Sequence, residues 1–145
     1  MSRGTPQLRD LAQSLIADES KRKAGGSTRE PTVLLIFEKL RPPLATLMGT
    51  NGFRALLLRA LTLAKTETAW LQAVHVKADG SLVGLAEMHA KIAPEEFLEG
   101  KVALLAQLLG LLVAFIGESL TLRLIHGIWP RQARTRLKLG KRIKK

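Results

Sequence analysis

Three histidines are the first residues to consider for chemistry, because imidazole is the commonest metal ligand and a frequent general base. They are His75, His89 and His126, and no two of them stand at a spacing typical of a metal site. Glu87 and Glu118 are acids near His89 and His126 in sequence, but nothing in the sequence brings either pair into a shared cleft. The spacing therefore predicts ordinary surface or boundary histidines, with no metal site and no catalytic pair.

The chain also lacks the short motifs that position phosphates or nucleophiles. It has no phosphate-binding glycine loop, no nucleophile elbow and no HExxH pair. Cysteine is absent, which excludes disulfides and thiolate metal sites and fits a reducing compartment. No apolar segment follows the basic residue near the N-terminus, so no signal peptide is evident. We therefore expect a cytoplasmic protein that is not an enzyme and has no cofactor.

The C-terminal tail, residues 131–145, carries the strongest charge signal. It contains eight Lys/Arg residues and no acid, in a chain whose net charge is +11 at pH 7. Such segments bind phosphate backbones through counterion release, or anionic membranes at about 1 kcal/mol per cation. We therefore treat the tail as a candidate polyanion-binding segment. Its cations are Arg131, Arg134, Arg136, Lys138, Lys141, Arg142, Lys144 and Lys145.

Two features of the tail limit this interpretation. No aromatic residue is interleaved for base stacking, so sequence-specific recognition of single strands is disfavoured. Leu137, Leu139 and Ile143 do not share one helical face, which gives little support to an amphipathic membrane helix. The alternative is a solvated arm, or an arm docked on a partner, that binds no nucleic acid.

Among the elements that must position these side chains, the most prominent is an apolar segment at residues 102–117. It is 16 residues long, and Gln107 is its only polar side chain. The Pro-Glu-Glu sequence at 94–96 is typical of a helix start, so we predict one long helix from about 94 to 126. A helix that is apolar on every side must be covered by its own fold, a partner or lipid. Sixteen residues reach only about 24 Å, which favours a buried helix over a membrane anchor at 102–122.

Small residues recur along this helix at steps of three and four, so they fall in one stripe. A stripe without side-chain bulk lets another backbone approach closely. We interpret it as the seam where a second helix crosses, either from this chain or from a second copy. The alternative is that small residues simply fill a crowded core. The members of this small-residue stripe, our candidate interface, are Gly100, Ala103, Ala106, Gly110, Ala114 and Gly117.

Glu118 brings a charge to the end of the apolar segment, and it has two interpretations. It marks the point where the helix emerges into solvent, or it fixes the register of a partner interface by pairing with an arginine across the seam.

The remaining segments predict an all-α protein. An amphipathic helix fills residues 1–23, a flexible linker follows at 24–31, and a helical core occupies 32–130 before the tail. Within the core, tandem prolines at 42–43 kink or interrupt a helix, and a turn is expected at 49–52. Asp79-Gly80 indicates a small β-hairpin at about 73–84, with an irregular loop as the alternative, and a short helix follows at 85–92. The predicted fold is a compact helical bundle around the 94–126 helix.

Three functional hypotheses remain. The first is a non-catalytic interaction or assembly protein that self-associates, as a homo-oligomer, or binds a partner protein through the small-residue stripe. The second is a nucleic-acid-binding accessory protein that uses the tail. The third is a small membrane-anchored protein. The sequence gives no motif that would support an enzyme.

Overall fold

The computed structural model describes residues 6–24 and 32–129, and it confirms an all-α bundle with one small hairpin. Ala24, the first residue of the linker predicted at 24–31, is instead the last residue of the first helix, and the rest of that linker and the tail at 131–145 lie outside the described residues. The helical elements are α1 (Pro6–Ala24), α2 (Thr32–Lys65), a 3₁₀ helix (Ala69–Ala73), α3 (Leu85–Lys91), α4 (Pro94–Ile116) and α5 (Glu118–Ile128). Two strands, β1 (His75–Val76) and β2 (Leu82–Val83), lie between the 3₁₀ helix and α3.

Helix α4 is the centre of the core. Every residue from Val102 to Leu112 is buried, and the helix packs mainly against α2 and α1. Helix α1 therefore docks on the core of its own chain, a point that the sequence left open. The side chains of α1 that are buried there are those of the predicted apolar face, Leu8, Leu11, Ala12, Leu15 and Ile16.

The predicted single helix from 94 to 126 is wrong in its C-terminal part, because Gly117 breaks it. Gly117 has φ 93° and ψ 156°, a region that is almost exclusive to glycine. Its N–H donates to the Val113 carbonyl at 3.0 Å and closes α4, and its carbonyl accepts the Thr121 N–H at 3.1 Å and opens α5. The helix thus ends at a position where the apolar periodicity predicted that it would continue.

A second glycine breaks α2. Gly49 has φ 83° and ψ 157°, and it is the one residue inside α2 with non-helical backbone angles. The chain stays helical through Pro42 and Pro43, although their missing N–H groups remove two hydrogen bonds from the helix. The break therefore lies within the turn predicted at 49–52, but it involves only one residue, Gly49. The proline pair at 42–43 does not interrupt the helix.

The hairpin at about 73–84 is confirmed, with the strands antiparallel. His75 lies opposite Val83 and Val76 lies opposite Leu82. An isolated two-stranded ribbon is only marginally stable in water, so it must be held by the rest of the fold. One contact that holds the hairpin comes from α2, where Nε of Arg54 donates a hydrogen bond to the Lys77 carbonyl at 3.0 Å.

The hairpin turn owes its shape to Asp79 and Gly80. Hydrogen bonds from the Ser81 hydroxyl and from the Ser81 N–H hold the pKa of the Asp79 carboxyl below its ordinary value. Gly80 has φ 89°, and a Cβ there would lie 3.0 Å from the ring of Phe53. The turn thus lies directly on α2, which fixes the position of the 3₁₀ helix and α3 on either side.

Candidate interaction site

The small-residue stripe divides into an inner and an outer part. Its first four members are buried, whereas Ala114 is exposed and Gly117 is partly exposed. The inner part is covered by the chain's own elements. Only the outer part is open to a partner in this structure. The buried members are Gly100, Ala103, Ala106 and Gly110.

The stripe is approached at Gly100 by an aromatic ring and not by a helix backbone. At Gly100, a Cβ would lie 2.3 Å from Cζ2 of Trp70, which the 3₁₀ helix carries. The indole Nε1 donates to the Glu96 carbonyl at 2.9 Å, and the ring stacks on Phe97 with centroids 5.1 Å apart. The absence of a side chain at Gly100 thus makes room for an indole that joins the 3₁₀ helix to α4.

The histidines do not converge. His75 and His126 are exposed on different elements, and His89 is an exposed residue of α3 whose ring stacks on Phe97 at 4.9 Å. Among residues 6–24 and 32–129, no group of three or more His, Cys, Asp or Glu side chains is placed to hold a metal ion. His89 therefore makes a packing contact with Phe97.

A polar chain of contacts leads from the buried Gln107 to the surface. This side chain is only 4% exposed, and its Nε2 donates to Oε2 of Glu67 at 2.6 Å. The other oxygen of Glu67 lies 3.3 Å from Nη1 of Arg9. The three residues therefore link α4 to the segment after α2 and to α1. Oε1 of Gln107 is buried and has no hydrogen-bond partner, so the link is incomplete.

Removing Glu67 should cost more stability than removing Gln107. In Glu67→Ala the buried Gln107 amide loses its acceptor, and we expect a loss of about 1.5 kcal/mol in the free energy of unfolding. In Gln107→Leu the unpartnered oxygen disappears and Glu67 keeps Arg9 and water, so we expect no loss. Urea denaturation of both variants and of the double variant measures the coupling. Glu67→Ala could also lower the free energy of unfolding equally in a protein that already carries Gln107→Leu. That result would show that the hydrogen bond between Gln107 and Glu67 is unimportant.

The outer part of the stripe adjoins the most exposed large apolar side chain among the described residues. Phe115 is 66% exposed, and Ala114 beside it is exposed as well. Beyond Gly117, the exposed positions of α5 include Ser119, Arg123 and His126. Ser119 follows Phe115 by four positions, which places the two within about 14 Å, and Arg123 lies one helical turn further on. We call Ala114, Phe115, Ser119, Arg123 and His126 the corner surface.

Glu118 lies on the inward side of α5 and outside the corner surface. Positions 121 and 125, three and seven residues further along α5, are buried, and Oε2 of Glu118 is itself buried without a hydrogen-bond partner. No acid follows it in the sequence. The exposed positions of α5 are therefore neutral or basic, and the eight tail cations that continue this pattern lie beyond the described residues. The register-fixing pair with a partner's arginine stays a hypothesis.

One helix in the described part of the chain, α4, is long and apolar enough to cross a membrane. Of its most apolar 18-residue window, 67% is buried against the rest of the chain. A buried core helix meets the same criteria of length and composition, and α4 has the surroundings of one in this structure. The alternative of a membrane anchor at 102–122 would also have to contain the break at Gly117.

The described residues thus combine a buried central helix with an open apolar corner, and the exposed positions of the adjoining α5 are neutral or basic. Comparisons of the chain with protein-family models, with curated proteins and with solved structures gave no match.

Proposed function

We propose that this protein is a non-catalytic interaction protein that docks through the corner surface. The observation that carries the proposal is the exposure of Phe115 at the end of a helix whose centre is fully buried. The other aromatic side chains in the described part of the chain, Phe37, Phe53, Phe97, Trp70 and Trp129, are buried or half-buried. An aromatic ring left in water next to an alanine is a feature typical of a docking site.

The energetics indicate a weak contact. Covering the exposed part of one phenylalanine contributes about 1 to 2 kcal/mol. Stable protein complexes bury at least about 1,200 Å², far more than Phe115 and Ala114 offer. The apolar contact therefore needs help from the neighbouring charges or from a second element of the partner. In a solution that contains no other partner, the available occupant of the corner surface is a second copy of the chain.

We expect the full-length protein to self-associate weakly, and Phe115→Ser to reduce that association. The substitution removes the apolar contact without disturbing the buried core, since the side chain lies mostly in water. Light scattering after size exclusion, at several protein concentrations, gives the absolute mass. We expect the mass of the wild-type protein to rise with concentration, and that of the variant to stay closer to the monomer mass.

Leu98→Ser is the matched control. Leu98 lies on the same helix, near its other end, and is 43% exposed. The control also loses an exposed apolar side chain, but it leaves the corner surface intact. If both substitutions changed the mass equally, or neither did, docking through the corner surface would be contradicted. Circular dichroism of both variants reports whether the helices are retained.

A second candidate function is non-specific binding of nucleic acid through the tail. The observation in its favour is the charge distribution, since nine Lys/Arg residues and no acid follow Glu118. Affinity of this kind falls steeply with salt, because each neutralised phosphate releases counterions. It needs no apolar contact, so it should not depend on Phe115.

A further inference from the structure

We infer that the corner surface docks on the same surface of a second copy in a two-fold arrangement, in which Glu118 of each copy pairs with Arg123 of the other. This inference rests on the proposed function, and it names the partner that the corner surface takes and the contacts that orient it. The observation that carries it is an acid and a base close to the exposed Phe115, neither of which has an ion-pair partner among the described residues.

Glu118 is a carboxylate with unused hydrogen-bonding capacity. The residue is partly exposed, but its Oε2 is buried and accepts no hydrogen bond. A buried polar atom without a partner costs stability, and a charged group costs more than a neutral one. A guanidinium carries five N–H donors in a geometry that matches a carboxylate. An arginine from outside the chain would therefore relieve this cost.

Arg123 of the same copy does not pair with Glu118. It lies five positions further along α5, which places the two side chains about 140° apart around the helix axis. Side chains of one helix pair at separations of three or four positions. Arg123 is exposed, and residues 6–24 and 32–129 supply it with no ion pair. Each copy therefore presents one unpaired acid and one unpaired base about 7.5 Å apart along α5.

A two-fold axis joins these groups reciprocally. At such an interface, a residue that contacts a second residue of the partner is matched by the same contact in the opposite direction. Two antiparallel α5 helices that cross midway between Glu118 and Arg123 place each acid opposite the other copy's base. The length of the arginine side chain lets it reach a carboxylate that is half-buried. Phe115 lies within about 11 Å of Glu118, so the apolar contact forms beside the ion pairs.

The same charges argue against a polyanion at this surface. A phosphate backbone or an anionic membrane would attract Arg123, but it would repel Glu118 and leave Oε2 without a donor. The two residues together carry no net charge, so they give no general attraction to anions. A second copy instead supplies both the base that Glu118 lacks and the acid that Arg123 lacks.

Ion pairs of this kind orient an interface more than they strengthen it. An exposed pair contributes little to affinity, so the association stays weak, as the small apolar area already indicates. Reversing a charge has a larger effect, because each reversal occurs twice across a two-fold axis and turns both attractions into repulsions. Reversed charges are therefore the most sensitive test.

The test is complementation between Glu118→Arg and Arg123→Glu. Each variant alone places like charges opposite each other in both pairs, so we expect its dimer dissociation constant to rise about tenfold. In an equimolar mixture, Glu118 of one variant meets Arg123 of the other, and the two introduced side chains meet each other. We expect the mixture to return to within about threefold of the wild-type value. Light scattering at several protein concentrations measures each sample.

Glu99→Arg and Lys91→Glu are the matched control pair. Both residues are exposed and lie outside the corner surface, and the substitutions change the net charge by the same amounts. We expect each control variant and their mixture to associate within about twofold of the wild type. If both mixtures associated more strongly than their components, and to the same degree, general attraction between unlike charges would explain the result and the inference would be overturned.

Glu118→Gln and Arg123→Gln give a second test that introduces no reversed charge at the start of α5. Either substitution removes both pairs, so we expect each to weaken the dimer about threefold and the double variant to weaken it no further. Additive effects would show that the two residues act separately, which contradicts the pairing. Circular dichroism of every variant reports whether the helices are retained.

The two proposals fail in different ways. If Phe115→Ser lowers the mass but the mixture of charge reversals associates no better than its components, the two-fold pairing fails and the corner surface remains a docking site. A wild-type protein that stays monomeric at every concentration would exclude a second copy as the occupant and overturn the inference. If Phe115→Ser leaves the mass of a self-associating protein unchanged, docking through the corner surface fails as well.

Discussion

Gly84→Ala should lower the free energy of unfolding by about 3 kcal/mol, the largest effect that we expect from a single methyl group in this protein. Gly84 precedes α3 with φ 102°, a left-handed conformation that side chains rarely adopt. A Cβ there would also lie 2.4 Å from the Ala73 carbonyl oxygen. That oxygen belongs to the backbone, so it cannot move aside as a flexible side chain would. The strain and the clash therefore add.

Urea denaturation followed by circular dichroism measures this loss, and Gly127→Ala is the matched control. Gly127 lies within α5, and a Cβ there would meet nothing within 4 Å. Alanine is the better helix former, so the control should be neutral or stabilising by up to about 1 kcal/mol. If the Gly84→Ala variant were as stable as the wild type, the residue before α3 would not adopt the left-handed conformation described.

Gly100→Ala should cost about 2 kcal/mol, although alanine favours the helix by about 1 kcal/mol. The added methyl group would overlap the indole of Trp70, so the ring must leave Gly100. It would then lose its hydrogen bond to the Glu96 carbonyl and its stacking on Phe97. We expect a lower denaturation midpoint together with a changed near-ultraviolet circular dichroism signal from the displaced tryptophan.

A double-variant cycle isolates the cause of this loss. If the clash with Trp70 is responsible, Gly100→Ala should cost almost nothing in a protein that already carries Trp70→Ala, because the space is then free. Equal costs in both backgrounds would contradict the contact. They would place the strain elsewhere along α4.

The parts of the fold that the sequence predicted correctly are those set by local chemistry. The spacing of Leu8, Leu11 and Leu15 defines one helical face whatever that face packs against. Asp79-Gly80 specifies a hairpin turn because glycine tolerates the positive φ that the turn requires. Pro94 fits the start of α4 for a similarly local reason, since its missing N–H is not needed in the first turn.

The parts that the sequence did not predict depend on distant partners or on nearly balanced alternatives. Gln107 meets Glu67 across 40 positions, and no local pattern reports that contact. Gly117 could occupy the interior of a helix at a cost of only about 1 kcal/mol, so packing decides whether the helix continues there. At Gly100 the indole of Trp70 fills the space that the missing side chain leaves, and residue spacing says nothing about whether a ring or a backbone fills such a gap.

The break at Gly117 also makes α5 a separate helical segment. An isolated helix as short as α5, at 11 residues, is marginal in water, so its order depends on the packing of Thr121, Ile125 and Trp129. Since the helical hydrogen bonds of α4 and α5 both end at Gly117, α5 can unwind without breaking a hydrogen bond inside α4. A pull on the tail would then be absorbed by local unfolding of α5 before it reaches the core.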